Sequence, residues 1–219
     1  MSTTTPTAGV IVAGGDPVTA AGLPPLPQPR FVIAADSGLD SALDLGIAVD
    51  LAVGDFDSAD PGAVEAARAA GTVLQRHPAD KDATDLELAL EAALARGLSP
   101  VLVLGGSGFD RIDHFLANAL LLARPRYRPL QPQWWVLGAH VVPVHDRIEV
   151  TGRPGDLLTL LAIGGPAAGV TTGGLQWELH DETLDAGSTR GVSNEMTGAA
   201  AVVSVASGTL LAVHTGGPR

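Results

Sequence analysis

The chain has 219 residues, 46% hydrophobic and 17% charged, which is enough apolar material for the core of one large domain or two small ones. It has no cysteine, which excludes disulfides, thiolate metal sites and cysteine nucleophiles. The net charge of -11 argues against a nucleic-acid surface, and no segment has the character of a signal peptide or a membrane span. We expect a cytoplasmic protein with no nucleic-acid or membrane partner.

The first part of the chain alternates short apolar runs with helical patterns, which is typical of an open, mostly parallel sheet flanked by helices. The predicted strands are Val10–Ala13, Phe31–Ala35, Leu51–Val53, Val73–Leu74 and Val101–Leu104. The predicted helices are Ser37–Leu45, Pro61–Ala70, Asp85–Arg96 and, approximately, Asp113–Ala123. Asp60 and Thr84 stand where they can cap the second and third helices, and a glycine follows each of the first three.

Near residue 131 the pattern changes to short β-rich runs, after a segment from Arg124 to Pro132 that has little periodicity. The predicted strands are Trp134–Leu137, Val141–His145, Leu157–Ile163, Leu175–Leu179, Ala200–Val205 and Thr209–Val213. The pattern predicts an α/β, Rossmann-like domain with a mostly parallel sheet over residues 1–130. An all-β sandwich domain follows over residues 131–219.

Carboxylates of the first domain lie close to the ends of its predicted elements. They are Asp36 after the second strand, Asp55 and Asp57 after the third, Asp82 and Asp85 before the third helix, and Asp113 beyond the fifth strand. Because the carboxyl ends of the strands in a doubly wound sheet share one edge, we expect several of these acids to converge. Asp55-Phe56-Asp57 alone is explained by turn capping, but with the other acids it favours a cation held through oxygen.

The segment Gly105-Gly106-Ser107-Gly108 lies between a strand and a helix, where backbone N–H groups can bind phosphate. This signal is weak alone, since the chain has no Walker motif and no complete dinucleotide fingerprint. Arg111 and Lys81 can supply positive charge to phosphate. The alternative to phosphate binding is a surface salt bridge for each residue. For Lys81 that alternative is as well supported as phosphate binding.

With these motifs in view, the chain resembles the thiamine pyrophosphokinase family over most of its length. The segments that carry the resemblance are Ala35-Asp36-Ser37-Gly38, Val53-Gly54-Asp55-Phe56-Asp57-Ser58, Lys81-Asp82-Ala83-Thr84-Asp85, Arg111-Ile112-Asp113-His114, Gly174-Leu175-Gln176-Trp177-Glu178-Leu179 and Gly191-Val192-Ser193-Asn194-Glu195. Phe109-Asp110 departs from the Gly-Gly that the family usually has before the arginine, and Leu39-Asp40 departs from its early Ala-Asn. These departures bear on the nucleotide contacts.

The resemblance implies an enzyme that transfers diphosphate from MgATP to the hydroxyl of thiamine and releases AMP. It also implies a homodimer, with active sites where the domains of opposite subunits meet. On this interpretation Asp55, Asp57 and Asp85 hold Mg2+, and Asp113 belongs to the same catalytic network. The expected nucleotide and phosphate contacts are Asp36, Gly38, Lys81, Asp82, Thr84, Gly106, Arg111 and His114. Thiamine is expected to contact Trp177, Ser193 and Asn194, with Trp177 stacked on its thiazolium ring.

Other interpretations stay open from the sequence. The same machinery suits another hydroxyalkyl heterocycle, such as a pterin, and the Phe109-Asp110 departure leaves room for a nucleotide-binding regulatory protein without catalysis. A glycosyltransferase using Asp-x-Asp would leave the second-domain motifs unexplained. Without the family pattern, Trp177 would be an ordinary core aromatic of the sandwich.

Overall fold

The structure is a computed structural model, and it describes residues 7–21, 23–78, 80, 82–108 and 111–216. By its internal contacts the chain divides into two compact units, Met1–Leu121 with Pro129–Leu137, and Leu122–Arg128 with Gly138–Arg219. Along the chain, short segments of the two units therefore alternate close to residue 131, where the sequence predicts the change of domain. None of the helices in the described ranges has the length and apolar character needed to cross a membrane.

A parallel sheet forms the centre of the first unit, as the sequence predicts. Its strands are β1 Ala8–Ala13, β2 Arg30–Ala35, β3 Leu51–Gly54, β4 Val73–Arg76, β5 Val101–Gly105 and β6 Pro132–Val136. They pair in parallel in the order β6-β5-β1-β2-β3-β4. The order reverses between β1 and β5, and this is the position at which open α/β sheets bind ligands.

Four helices accompany this sheet and begin close to where the sequence predicts. They are α1 Gly38–Asp44, α2 Pro61–Ala69, α3 Asp85–Ala95 and α4 Ile112–Leu122. Both predicted caps are confirmed, because the side chain of Asp60 accepts a hydrogen bond from the N–H of Ala63 and that of Thr84 accepts one from the N–H of Glu87. Capping fixes the start of α3, so it also fixes the position of Asp85.

The strand that contains Trp134 is the sixth strand of the parallel sheet, although the sequence places it in the sandwich. Trp134 is 1% exposed, and its indole Nε1–H donates to the carbonyl of Gly105 at 2.7 Å. Its ring lies 5.3 Å from that of Phe115. The side chain therefore connects β6 to the glycine turn after β5. Before β6, residues Pro125–Leu130 form a 3-10 helix in which Tyr127 is fully buried.

The second unit is an all-β sandwich, which confirms that part of the fold prediction. Its strands are β7 Ala139–Val144, β8 Arg147–Thr151, β9 Leu157–Ala162, β10 Ala167–Gly173, β11 Glu182–Leu184, β12 Asn194–Glu195, β13 Ala200–Ser204 and β14 Leu210–Thr215. Two antiparallel arrangements result, β12-β9-β14-β7 and β11-β10-β13-β8. Leucine, valine and alanine side chains from both form one core.

The predicted strand Leu175–Leu179 is wrong, because this segment is a loop with a single β-bridge from Leu175 to Met196. Leu175 and Leu179 are both buried, so the apolar pattern reflects two core anchors with an exposed stretch between them. The N–H of Leu179 donates to the Thr172 hydroxyl at 2.9 Å instead of joining a ladder. The loop carries Trp177 at its exposed middle.

Candidate active site

Three aspartates meet at the carboxyl ends of β2 and β3. Asp36 follows β2, and Asp55 and Asp57 follow β3, its parallel neighbour. One carboxylate oxygen from each lies within 4.8 Å of the others. The predicted convergence of acids therefore includes Asp36, which the sequence places among the nucleotide contacts. The metal role predicted for Asp55 and Asp57 stays a prediction, but these three residues are close enough to share one cation.

The turn after β3 is held by several contacts. Phe56 has a φ of +62° although it is not glycine, and its ring is buried. The guanidinium of Arg76 lies 5.0 Å from the centre of that ring and donates to the carbonyl of Asp55 at 3.3 Å. The N–H of Asp57 donates to Oδ1 of Asp55 at 3.2 Å. These contacts fix an uncommon backbone conformation that presents both carboxylates on the same turn.

Asp36 has the environment of a cation ligand. The residue is 9% exposed, and its Oδ1 is buried with no hydrogen-bond donor among the described residues. Burial raises the pKa of Asp36, and the neighbouring charges of Asp85, Asp55 and Asp57 raise it further, while the N–H of Ser37 acts in the opposite direction. A divalent cation would replace the missing donor and offset the repulsion. The all-oxygen donor set suits Mg2+.

Asp85 approaches this cluster from the first turn of α3. Gly54, with φ +149°, lies between Asp85 and Asp36. A Cβ on Gly54 would lie 3.2 Å from Asp36 Cα and 3.2 Å from Asp85 Oδ1. A side chain at position 54 would therefore disturb both acids. Asp85 lines the same cleft but lies outside the group of three oxygens within 4.8 Å. Its role as a metal ligand stays a prediction.

Two glycine turns lie side by side where the strand order reverses. Gly14-Gly15 follows β1 and Gly106-Ser107-Gly108 follows β5. The Ser107 hydroxyl donates to Asp16 at 2.9 Å, which joins the two turns. Backbone N–H groups in such turns suit phosphate oxygens.

Arg111 forms a compact group with two neighbours at the start of α4. Its guanidinium donates from Nε to Asp113 Oδ1 at 3.1 Å and from a terminal nitrogen to Asp113 Oδ2 at 2.9 Å, and it also contacts His114. This pairing lowers the pKa of Asp113 to about 2 and raises that of Arg111. Arg111 and His114 line the cleft, whereas Asp113 is not among the lining residues.

These groups enclose one cleft of about 730 Å3, within the size range of small-molecule sites. Its polar and glycine lining includes Gly14, Gly15, Asp36, Ser37, Asp55, Asp57, Ser58, Thr84, Asp85, Gly106, Gly108, Arg111, His114 and Asn118. Carboxylates lie on one side, and glycine turns with Arg111 lie on the other. This arrangement suits a polyphosphate bound together with a metal ion.

Several predicted site residues lie outside the cleft or have a structural role. Gly38 is buried in α1, where a Cβ would lie 2.1 Å from the carbonyl of Val12, so its small size serves the packing of α1 on β1. Asp82 is exposed and is not part of the cleft lining, while Thr84 lines the cleft and caps α3. Lys81 and the Phe109-Asp110 departure lie outside the described residues.

Comparison with known proteins identifies family models that match this chain. The family model described as thiamin pyrophosphokinase, catalytic domain, matches residues 26–131. The model described as thiamin pyrophosphokinase, vitamin B1 binding domain, matches residues 145–210. Together the two matches cover most of the chain. The chain belongs to the thiamine pyrophosphokinase family.

Individual relatives agree with this assignment. A thiamine pyrophosphokinase of Bacillus subtilis is 28% identical over 193 residues, which cover 84% of this chain and 86% of that protein. A crystal structure of thiamine pyrophosphokinase from Bacillus subtilis matches with a TM-score of 0.83 at 24% identity, covering 97% of this chain and 100% of that one. A family protein from Enterococcus faecalis matches with a TM-score of 0.80 at 25% identity, with the same coverage.

The residues expected to contact thiamine lie in the second unit. Trp177 is 59% exposed, so it is not the core aromatic that would be expected without the family pattern. Asn194 donates to the carbonyl of Trp177 at 2.7 Å and accepts from its N–H at 3.1 Å. Ser193 is exposed, with φ +58°, and its N–H donates to the Thr159 hydroxyl at 2.9 Å. The three residues therefore form one local group.

Three features of the site are not predicted from the sequence. Gly14-Gly15 has a visible signal, since it directly follows an apolar strand. Asn118, 7% exposed, donates to the carbonyl of Gly106 at 3.1 Å, and Arg76 braces the acidic turn. Neither of these two has a local motif, because each acts on a residue at least twelve positions away.

Proposed function

We propose that this protein transfers a diphosphate group from ATP to the hydroxyethyl group of thiamine, giving thiamine diphosphate and AMP. The thiamine hydroxyl oxygen forms a bond to the β-phosphorus of ATP. The bond from that phosphorus to the oxygen bridging to the α-phosphorus breaks, and AMP leaves with that oxygen, while the hydroxyl proton passes to a carboxylate of the cleft or to water. One observation carries the proposal: in a chain of this family, three carboxylates meet at the carboxyl edge of a parallel sheet, in the same cleft as two glycine turns.

Asp36, Asp55 and Asp57 are the proposed ligands of Mg2+, with Asp85 as a further ligand, directly or through water. The support is the all-carboxylate donor set and the buried Oδ1 of Asp36. When bound, Mg2+ supplies charge neutralisation for the triphosphate next to a protein of net charge -11. The work of the chain's own residues is to hold the reacting groups in line, which accounts for most of the catalysis in such transfers.

Arg111 is the proposed cationic ligand of the phosphates, and His114 and the glycine turns complete the nucleotide site. Asp113 is ionised at neutral pH, since its pKa is about 2, and both of its oxygens accept from Arg111. These properties suit a residue that orients Arg111 better than one that accepts the hydroxyl proton. Lys81, Asp82, Thr84 and Gly38 stay proposed members of the nucleotide-binding surroundings.

Thiamine is the proposed ligand of the second domain. Thiamine carries a positive thiazolium ring, and an exposed indole such as that of Trp177 offers a cation–π contact worth about 0.5–2 kcal/mol. Asn194 is bonded to the backbone of Trp177, and Ser193 precedes Asn194 on the segment that the family resemblance associates with thiamine. We propose nucleotide binding for the domain at residues 1–130 and thiamine binding for that at residues 131–219. We further propose a homodimer acting in the cytoplasm, which chemical cross-linking and cell fractionation would test.

The deciding experiment incubates pure protein with ATP, thiamine and Mg2+ and measures AMP and thiamine diphosphate. We expect both products in equal amounts, and neither without Mg2+. Asp57→Asn should abolish turnover, whereas Asp44→Asn, an exposed aspartate of α1 outside the cleft, should not. AMP formed with a hydroxymethylpterin but not with thiamine would refute the substrate assignment. ATP binding without any AMP release would refute the enzymatic proposal.

A further inference from the structure

The side chain of Asn194 makes three hydrogen bonds to backbone groups. Its Oδ1 accepts from the N–H of Trp177 at 3.1 Å and from its own neighbour's N–H, that of Glu195, at 2.9 Å. Its Nδ2 donates to the carbonyl of Trp177 at 2.7 Å. The opposite orientation of the amide would place its NH2 group against two N–H donors, so the contacts fix which atom is which. Both backbone groups of Trp177 are thus bonded to one side chain.

These bonds replace the strand ladder that residues 175–179 do not form. Next to them, the N–H of Gln176 donates to the carbonyl of Glu195 at 2.8 Å, and Leu175 and Met196 form an isolated bridge. Beyond Trp177 the side chain of Glu178 turns back to accept from the N–H of Gly174 at 2.8 Å. The side chain of Asn194 therefore holds the backbone of Trp177, at the exposed middle of the loop.

The residue that holds Trp177 is itself anchored in the sandwich. Asn194 begins β12, where it pairs with Leu158 of β9. The residue before it, Ser193, is held in a left-handed conformation by the bond from its N–H to Thr159 of the same strand. A strand of the sandwich, β9, thus sets the position of Asn194, and Asn194 sets that of Trp177.

We propose that Asn194 is a positioning residue that acts on thiamine binding through Trp177, rather than a direct thiamine ligand. Its amide oxygen already accepts two hydrogen bonds, and its amide nitrogen uses one of its two hydrogens on Trp177. The indole projects from a loop that would otherwise sample many conformations, so fixing its backbone lowers the entropy lost when the ring stacks on a ligand. This inference rests on the proposed function for the identity of the ligand.

A double-mutant cycle between Asn194→Ala and Trp177→Ala tests this, with thiamine dissociation constants measured by calorimetry. Loss of the indole alone should weaken binding about two- to thirtyfold, the range expected of one cation–π contact. Asn194→Ala should give a loss within that range when Trp177 is present, and almost none when Trp177 is already alanine. The matched control is Thr171→Val, which removes one side chain to backbone bond, to Asp181, elsewhere in the same unit.

Turnover separates positioning from general damage. With Asn194→Ala, the KM for thiamine should rise while the KM for ATP and kcat stay within about twofold of the parent, as expected for lost uniform binding. Equal losses from Asn194→Ala in the presence and absence of Trp177 would show a direct contact with thiamine and overturn the proposal. A loss with Thr171→Val as large as that with Asn194→Ala would also overturn it, since any loosening of the unit would then suffice.

A measurement without ligand keeps this inference separate from the proposed function. Amide hydrogen exchange of the free protein should become faster at Trp177 and Glu195 in Asn194→Ala, while exchange in β9 and β14 stays unchanged. Unchanged exchange at Trp177 would refute the positioning role even if thiamine is the substrate. Faster exchange at Trp177 in a protein that does not bind thiamine would support the backbone contact and refute the proposed function instead.

Discussion

Replacing Asp36 by asparagine should stabilise the metal-free protein. Two unit charges 4.8 Å apart, the outer limit of separation of the clustered oxygens, repel by about 1 kcal/mol in bulk water and about 3.5 kcal/mol at an effective dielectric constant of 20. Because Asp57 is exposed and its charge is screened, we expect a net gain of about 1–2 kcal/mol. For a chain of this length that gain raises the Tm by about 2–8 °C. The new amide can also donate to the neighbouring carboxylates.

The sign of the pH effect follows from the raised pKa of Asp36. A carboxyl group whose pKa is higher in the folded protein than in the unfolded chain binds more protons when folded, so the metal-free protein loses stability as the pH rises from the unfolded value through the folded one. Asp36→Asn removes this contribution. The difference in Tm between variant and parent should therefore be small at low pH and grow towards neutral pH.

Thermal unfolding with and without Mg2+ gives the decisive comparison. Mg2+ at a hundred times its dissociation constant stabilises a folded protein that binds it at one site by about 2.7 kcal/mol. We expect the parent to gain this stability and Asp36→Asn to gain much less, so that the order of the two Tm values reverses when Mg2+ is added. The reasoning is refuted if the variant melts below the parent in chelator at neutral pH, or if it keeps the full response to Mg2+.

Two further predictions concern stability away from the acidic cluster. Trp134→Phe removes the indole N–H that donates to the carbonyl of Gly105 and should lower the free energy of unfolding by about 1–3 kcal/mol. An unchanged free energy of unfolding in urea denaturation would contradict this. Burial, together with the charge of His214, lowers the pKa of His140 to about 4, so the folded protein disfavours the charged ring and loses stability as the pH falls from 6.5 towards 4. His140→Gln should remove roughly 1–2 kcal/mol of that loss, after allowance for partial exposure, and parallel Tm profiles of variant and parent between pH 7 and pH 4 would show that His140 is not responsible.

Helices that begin at a capping residue and strands formed by continuous apolar runs are predictable from this sequence. Thr84 and Asp60 cap the helices that they precede, because capping depends on residues only a few positions apart. The segment Leu175–Leu179 is not predictable in this way, since its two buried leucines give the pattern of a strand while its middle is bonded to the side chain of Asn194. The prediction also assigns β6 to the wrong domain, because the sheet that a strand joins depends on partners distant in sequence.

The acidic edge of the site is predictable because strand ends can be read from local patterns, and parallel strands bring their carboxyl ends together. Which acids lie closest is a different matter. Asp36 lies close to Asp55 and Asp57 because β2 pairs with β3. No local sequence motif indicates the order of the strands in the sheet. Asp85 comes from a helix terminus, so its distance from the others depends on how α3 packs on the sheet.

The interleaving of the two packing units means that no single cut of the chain separates them. A fragment ending at residue 130 would lose β6, which would leave β5 as an open edge prone to association and would remove the indole that satisfies Gly105. A fragment starting at residue 131 would lose the buried Tyr127. A single cut near residue 130 is thus a poor route to isolated halves. Overlapping fragments, residues 1–137 and residues 122–219, would each keep all the segments of one unit.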